Sequence, residues 1–463
     1  MAKAKKSSGS KWTGAGVRAL LPPKKTAAPR QPAKVKPARV APVEPLWKGP
    51  DVDGITQSLI AKFLVCRHRF WLKTVMGYSE DDGFNKAIEY GSMWHVLEEH
   101  YLKAQHLSEP ERIETAYKAL AKYRTKLVLQ YQGEDGEINK WYTLCKGQFL
   151  TYLDYWSKHQ DETTRKRVLE EAAFRVPYDM PYGPIQRVYL RGKFDAVLIC
   201  DRPKREDDPE LYDAWMEHYP DAKQGIFLQE NKSKGDIDEV GLKATLGLNL
   251  QTMLYLTALH LCYQHEPKRS RLVIPIKPSA TSYATCEYAF KPDIPIVGIL
   301  YNVIRRPLAD RFAIKQRKGR TVKGKVVGAE SSSQFLRRVD EGIASDPDHF
   351  FMRWKVLITP QDIRVFMDQV LSPILNQVTT WWDSIRLNPL DPGSLYDCKD
   401  DAEGYPNPAA GIERIGANPH HWQTPWGIYN SMFGGFRGDF FPLLTSGREA
   451  GLHKAKTLFP ELE

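Results

Sequence analysis

Asp195, Glu230 and Lys232 are the residues whose types and spacing could support hydrolytic chemistry. Asp195 lies in the segment RGKFDAV, and Glu230 ends the apolar run IFLQE, with Lys232 two residues later. Side chains two residues apart lie on one face of a strand, so we expect Glu230 and Lys232 to point the same way. Two carboxylates suffice to hold Mg²⁺, which prefers oxygen ligands, and a nearby lysine can orient or deprotonate a water. These groups together suit the hydrolysis of a phosphodiester bond.

The apolar periodicity around these residues predicts a helical region followed by a sheet. Helices are expected at 55–78, 85–105, 109–131 and 139–159, with a later one at 239–264. Strands are expected at 167–179 on a sheet edge, at 187–200 as a hairpin, and at 225–235, 270–278 and 281–290, with a charged insertion at 201–223. This order predicts an α/β sheet with a crossover helix, and not a β-sandwich.

The composition indicates a packed protein. Of 463 residues, 42% are hydrophobic and 11% are aromatic, which is enough apolar surface for a core. No apolar run reaches the length of about 18 residues that predicts a membrane span, and no secretory signal is visible at the N-terminus. We therefore expect a cytoplasmic protein without membrane contact. The six cysteines form no C-x-x-C pair, which argues against a disulfide framework or a zinc site.

Positive charge is concentrated in two segments. The formal net charge is +10, but residues 1–50 hold twelve Lys/Arg and one acid, which gives +11 and leaves the remainder at −1. That segment indicates a disordered basic tail that either binds DNA or a partner or is simply solvated. Residues 301–325 carry nine Lys/Arg and one acid. We predict a basic loop there that either follows a DNA backbone or is solvated, with Arg305 and Arg306 as candidate substrate contacts.

Three elements in fixed order resemble the RecB-type branch of the PD-(D/E)XK nuclease superfamily. That branch has a G-x-x-D element, a strand ending in (D/E)-x-K, and a helix with Q-x-x-x-Y. The matching segments here are GKFD at 192–195, ENK at 230–232 and QTMLY at 251–255. Any one of them alone is common and usually marks a solvated face, so the order carries the resemblance. It implies that Gln251 and Tyr255 contact the substrate strand or support the lysine.

An early histidine extends the resemblance. The branch has G-x-x-x-H on an early helix, which GSMWH at 91–95 matches, and Ser58, Cys66 and Phe70 fit its usual beginning. The resemblance spans about 55–290, with a looser likeness to phage-encoded members through about 385. It implies a Mg²⁺ or Mn²⁺ site formed by His95, Asp195, Glu230 and the carbonyl of Asn231, with Lys232 positioning water.

The resemblance also implies a fold and an activity. We expect a restriction-endonuclease-like core, a central mixed sheet flanked by helices, with helical additions at both ends. The expected parts are a basic tail (1–50), a helical part with the His95 helix (51–165), the nuclease core (166–300), a basic loop (301–330) and a helical part with an irregular tail (331–463). The implied activity is a DNA exonuclease in recombination, repair or replication, with an annealing or other recombination protein as a partner. A phage-encoded member would act in the host cytoplasm.

Two departures and several alternatives accompany this interpretation. Many members of the branch hold an iron–sulfur cluster, but beyond Cys66 and Cys398 the late cysteine group is missing, so we expect none. The insertion at 201–223 lengthens the gap between the two carboxylate motifs. A structure-selective endonuclease and a catalytically silent DNA-binding module remain alternative functions.

Five further residues have ordinary interpretations. Lys234 is the rival lysine, which we expect to face DNA or solvent. Glu98 and Glu99 are expected on a solvated helix face, from which one could reach the metal. The pair HH at 420–421 is expected to be structural, because no carboxylate or cysteine is spaced to join it.

Overall fold

The computed structural model of the protein describes residues 45–80, 83–159, 165–245, 247, 249–264, 270–279, 282–290, 294–308, 315–318, 320–322, 325–387, 429–430, 436–437, 452–459 and 462. Most of the tails predicted at 1–50 and after 390 lie outside these residues, as do Cys398 and the pair at 420–421. Among the helices that are described, none is both long and apolar enough to cross a membrane.

Helices flank a central sheet on both faces. They are α1 (Gln57–Val65), α2 (Arg67–Phe70), α3 (Lys86–Lys103), α4 (Glu109–Gln130), α5 (Asp135–Ser157), α6 (Pro209–His218), α7 (Glu239–Thr245), α8 (Leu250–Cys262), α9 (Ser332–Ser345), α10 (Pro347–Phe350), α11 (Pro360–Phe366) and α12 (Ser372–Leu387). π-Helical turns at Trp71–Val75 and Met367–Leu371 continue α2 and α11. The N-terminal helical region is therefore present as the periodicity predicts.

The helix predicted at 239–264 is divided into α7 and α8. The side chain of Asn249 accepts hydrogen bonds from the backbone N–H groups of Gln251 and Thr252, so a new helix begins there. An N-terminal cap of this kind satisfies donors that have no partner inside the helix. As a consequence, Gln251 lies in the first turn of α8.

The central sheet has five strands of mixed direction. The strands of the structure are β1 (Tyr78–Glu80), β2 (Arg165–Asp179), β3 (Arg187–Asp201), β4 (Gln224–Lys234), β5 (Tyr263–Gln264), β6 (Ser270–Ser279), β7 (Ser282–Phe290), β8 (Ile296–Arg305), β9 (Arg320–Val322), β10 (Lys325–Val327), β11 (Phe351–Leu357), β12 (Tyr429–Asn430), β13 (Phe436–Arg437) and β14 (Leu452–Lys454). The order of the main sheet is β11–β8–β4–β3–β2, with β4 and β8 parallel and the other neighbours antiparallel. Because α8 lies between β4 and β8 along the chain, the predicted α/β sheet with a crossover helix is confirmed.

Two of the five strands correct the sequence-based boundaries. All ten residues of β8 are buried, so residues 301–305 belong to the sheet and not to the basic loop predicted from 301. β11 pairs with β8 along its whole length, within the part predicted to be helical. A strand buried on both faces is a continuous apolar run without alternation, which removes the usual signal for a strand.

The hairpin and the insertion also differ in detail from the expectation. Residues 187–201 form one continuous strand, and the hairpin joins β2 to β3. The insertion contains α6, whose Trp215 is fully buried and lies against Phe227 with ring centroids 6.2 Å apart. The insertion is thus packed against the sheet.

Two layers of helices cover the sheet. On one face, α1, α8 and α12 share a hydrophobic cluster with the strands. On the other face, α3, α4, α5 and α9 form a second cluster with Ile304 and Phe351, and α6 covers a third. This arrangement is the restriction-endonuclease-like core that the resemblance implies.

Candidate active site

The candidate site lies where two strands of the sheet separate. The pairing of β3 with β4 stops at Ala196 and Gln229, whereas β4 continues beside β8 as far as Lys234. Asp195 and Glu230 are the next residues on the two diverging strands. The backbone N–H of Asn231 no longer has a β3 partner and donates to Asp195 Oδ2 at 2.6 Å. Separation of the strands at this fork therefore frees a backbone donor of the ENK motif, and this donor holds the Asp195 carboxylate in place.

Glu230, Lys232 and Gln251 form one hydrogen-bonded group. Lys232 Nζ donates to Glu230 Oε1 and, at 3.1 Å, to Gln251 Oε1. The amide of Gln251 donates to Glu230 Oε1 at 2.6 Å. Gln251 thus restrains both charged groups from the first turn of α8, in agreement with the alternative in which it supports the lysine.

His95 reaches the fork from α3. A Cβ at Gly91 would lie 3.2 Å from Ser233 Oγ, so the glycine of the G-x-x-x-H motif lets α3 approach β4 closely. One turn later, His95 Nδ1 lies 3.8 Å from Asp195 Oδ1. The histidine side chain is 35% exposed, which leaves part of the ring open to solvent.

Glu171 is a member of this site that the sequence analysis did not identify. It accepts a hydrogen bond from His95 Nδ1 at 3.1 Å and forms an ion pair with Lys193 Nζ at 2.7 Å. Only 5% of its side chain is exposed. Its φ of 45° is in the left-handed region, which is costly for a residue with a Cβ and occurs where surrounding structure enforces it. One atom each from His95, Glu171 and Asp195 lie within 4.8 Å of one another.

The site suits a hard divalent cation. Glu230 Oε2 is buried and has no hydrogen-bond partner among the described residues. A buried carboxylate oxygen without a donor costs free energy, which a bound cation would offset. The neighbouring donors are carboxylate oxygens and one imidazole, which Mg²⁺ and Mn²⁺ accept as ligands.

The crowding of acidic groups changes the proton affinities of the site. Burial, together with the neighbouring Glu230 and Glu171, raises the pKa of Asp195 to about 7 against the opposing effect of His95. Burial alone would lower the pKa of His95, but Asp195 and Glu171 raise it to about 9. Burial would likewise lower the pKa of Lys232, whereas Glu230 and Asp195 raise it. The site therefore favours positive charge among its carboxylates.

Three other predicted site residues lie around this group. The Tyr255 ring packs edge-on to Phe174 with centroids 5.4 Å apart, and a Cβ at Gly192 would come within 2.8 Å of it. Arg305 is 8% exposed and donates from Nε to the His349 carbonyl at 2.9 Å, which argues against the predicted substrate contact. Arg306 directly follows β8, and its backbone N–H donates to the Lys234 carbonyl at the end of β4.

The two glutamates after His95 differ from the expectation of a solvated face. Glu98 is 3% exposed and accepts a hydrogen bond from Tyr152 Oη at 2.9 Å. Asn302 donates both to that hydroxyl at 3.0 Å and to Asn231 Oδ1 at 2.8 Å, so buried polar groups connect α3 to the motif strand. Glu99 is 20% exposed and lies 3.7 Å from Lys193 Nζ. The solvated-face prediction is therefore wrong for Glu98.

Comparison with known families agrees with this geometry. The family model described as the PD-(D/E)XK nuclease superfamily matches residues 55–345, which is more than half of the chain. The protein belongs to the PD-(D/E)XK nuclease superfamily, and the predicted membership is confirmed at that level. A search of curated proteins gave no significant match.

Proposed function

We propose that the protein is a divalent-metal-dependent deoxyribonuclease whose active site is the group at the strand fork. The observation that carries the proposal is the buried Glu230 Oε2, which lies beside Asp195 and Lys232 and has no hydrogen-bond partner in the described part of the chain. Asp195, Glu230, His95 and the Asn231 carbonyl would hold Mg²⁺ or Mn²⁺, and the position of Glu171 makes it an additional candidate ligand.

The residues at the fork would have separate roles in phosphodiester hydrolysis. A bound cation would neutralise charge on the phosphate and increase the acidity of a coordinated water. Lys232, held by Glu230 and Gln251, would orient the attacking water. The Asn231 N–H would keep Asp195 in place, since a carboxylate that accepts a backbone hydrogen bond has little freedom to rotate.

Action on DNA ends rests on analogy with phage-encoded members of the RecB-type branch. On this analogy the enzyme is an exonuclease that resects linear DNA for recombination, repair or replication, in the cytoplasm of the cell or host. An annealing or other recombination protein would then use the product strand.

Linear and circular DNA distinguish exonuclease from endonuclease activity. We expect the wild type to degrade end-labelled linear DNA with Mg²⁺ or Mn²⁺, to leave a closed circular plasmid intact, and to be inactive in EDTA. Nicking of the circle would favour the structure-selective endonuclease. Failure to cut either DNA with both metals would contradict the proposal.

A metal titration separates the nuclease from a silent DNA-binding module. Calorimetry should show that the wild type binds Mn²⁺. Asp195→Ala should bind it at least about tenfold more weakly, because that substitution removes a proposed ligand. Equal binding by the two proteins would favour the silent module.

A further inference from the structure

The end of β4 carries a second basic group on the catalytic face. Lys234 follows Lys232 by two residues, so both side chains leave the strand on the same side. The chain that leaves the parallel strand β8 brings Arg306 to the same place. Its backbone N–H donates to the Lys234 carbonyl at 2.7 Å, and its Nη1 donates to the Ser233 carbonyl at 2.9 Å. Lys234 and Arg306 therefore lie next to the candidate active site, near enough to each other and to Lys232 for the three charges to interact.

The two outer cations, Lys234 and Arg306, have no acidic partner among the described residues. Within the described part of the chain, neither Lys234 nor Arg306 forms an ion pair with a carboxylate, and nearby Asp236 lies 4.0 Å from Arg305 instead. Burial, together with Lys232 and Arg306, lowers the pKa of Lys234. Burial also lowers the pKa of Arg306. Partly buried like charges repel one another, and an anion placed between them would relieve that repulsion.

We propose that Lys234 and Arg306 form a phosphate-binding site that holds a phosphate of the DNA strand next to the active site. This inference rests on the proposed function only in taking DNA as the ligand. Arginine and lysine are the side chains that bind phosphate oxygens best, through charge-assisted hydrogen bonds. The guanidinium is already restrained by the Ser233 carbonyl, so it loses little freedom when a phosphate binds. A strand held here would pass Lys232 and enter the fork.

DNA binding measured without cleavage tests this site. Fluorescence anisotropy in EDTA would follow a labelled single-stranded oligonucleotide at several salt concentrations, with the wild type and Lys234→Met. At about 0.15 M salt we expect about tenfold weaker binding by the variant, and a slope of log K against log salt that is smaller by about 1. The methionine keeps the length and apolar stem of lysine, so a loss of folding is not expected.

Lys223 supplies the matched control. It is exposed and directly precedes β4, so it lies at the opposite end of the strand, about 36 Å from Lys234 at about 3.3 Å per residue. Lys223→Met should bind as the wild type does. Unchanged affinity and slope in Lys234→Met would overturn the proposal, as would an equal loss in both variants.

Modified oligonucleotides distinguish a terminal phosphate from an internal phosphate as the bound group. If the site holds a terminal phosphate, the wild type will prefer a 5′-phosphorylated end over a 5′-hydroxyl, and Lys234→Met will lose that preference. If it holds an internal phosphate, one neutral methylphosphonate will weaken the wild type and not the variant. Because the assay needs no cleavage, weaker binding by Lys234→Met in a protein that never cuts DNA would sustain this site while contradicting the nuclease.

Discussion

At the scale of single residues, Asp195 is governed by its neighbours. It shares the fork with Glu230, Glu171 and His95, and burial together with the two carboxylates raises its pKa to about 7. A proton and a metal ion compete for the same carboxylate oxygens. The ionisation of this one residue should therefore control how strongly the site binds a cation near neutral pH.

Metal affinity is expected to depend on pH in a defined direction. Below about pH 7 the proton on Asp195 must leave before the cation binds, so this residue alone should make Mn²⁺ affinity fall about tenfold per pH unit. If His95 is also a ligand, its proton, with a pKa of about 9, should add a further loss of about tenfold per pH unit at every pH below about 9. Calorimetry across this range would measure both effects, and His95→Ala should remove the second. Affinity that is constant below pH 7 would contradict this assignment of Asp195.

The sequence could predict the residues that belong to ordered motifs and not those placed by tertiary packing. Glu230 and Lys232 are recognisable from their spacing along one strand, and Asp195 and Gln251 from the ordered motifs by which the sequence resembles the RecB-type branch. Glu171 is one of two adjacent glutamates in a strand, and its only sequence signal is an acidic pair opposite the G-x-x-D element. Its positive φ and its contact with His95 arise from packing between elements that are distant along the chain.

At the scale of elements, the close packing of α8 on β3 depends on Gly192. A Cβ there would lie 2.6 Å from Phe174 Cζ and 2.8 Å from Tyr255 Cε1, which would force the rings away from β3. Gly192→Ala should lower the free energy of unfolding by about 1–3 kcal/mol, the usual effect of overpacking. Urea denaturation followed by circular dichroism would measure the change.

Gly136 provides the comparison for that variant. It lies in α5, and a Cβ there would meet no atom within 4 Å, so Gly136→Ala should be neutral or stabilising by up to about 1 kcal/mol. If Gly192→Ala proves no less stable than Gly136→Ala, the close packing of α8 on β3 is not as described.

The sequence predicts helices and strands best where one face of the element is exposed to solvent. The edge strand β2 and the amphipathic helices α3 and α4 follow from alternation or helical period. β8 was missed because both of its faces are buried and its partner β4 is more than sixty residues earlier. The arginines at the end of this apolar strand favour a basic loop when only the sequence is considered.

At the scale of the whole molecule, positive charge is concentrated in the N-terminal segment. Residues 1–41 contain eleven Lys/Arg and no acid. Their removal should leave the thermal unfolding midpoint unchanged and weaken DNA binding mainly at low salt, since that binding would be electrostatic. Calorimetry and anisotropy would measure the two effects, and a lowered midpoint would show that the tail stabilises the remainder.

The most direct test of the account is the rate of DNA cleavage in Lys232→Ala. With Mg²⁺, linear DNA and excess protein, we expect the single-turnover rate to fall by about 10²–10⁴-fold, the range for loss of a group that positions or deprotonates the nucleophile. Lys223→Ala, which removes the same charge at the far end of β4, should cleave at the wild-type rate. Cleavage at an undiminished rate by folded Lys232→Ala would contradict the assignment of the active site to the fork between β3 and β4.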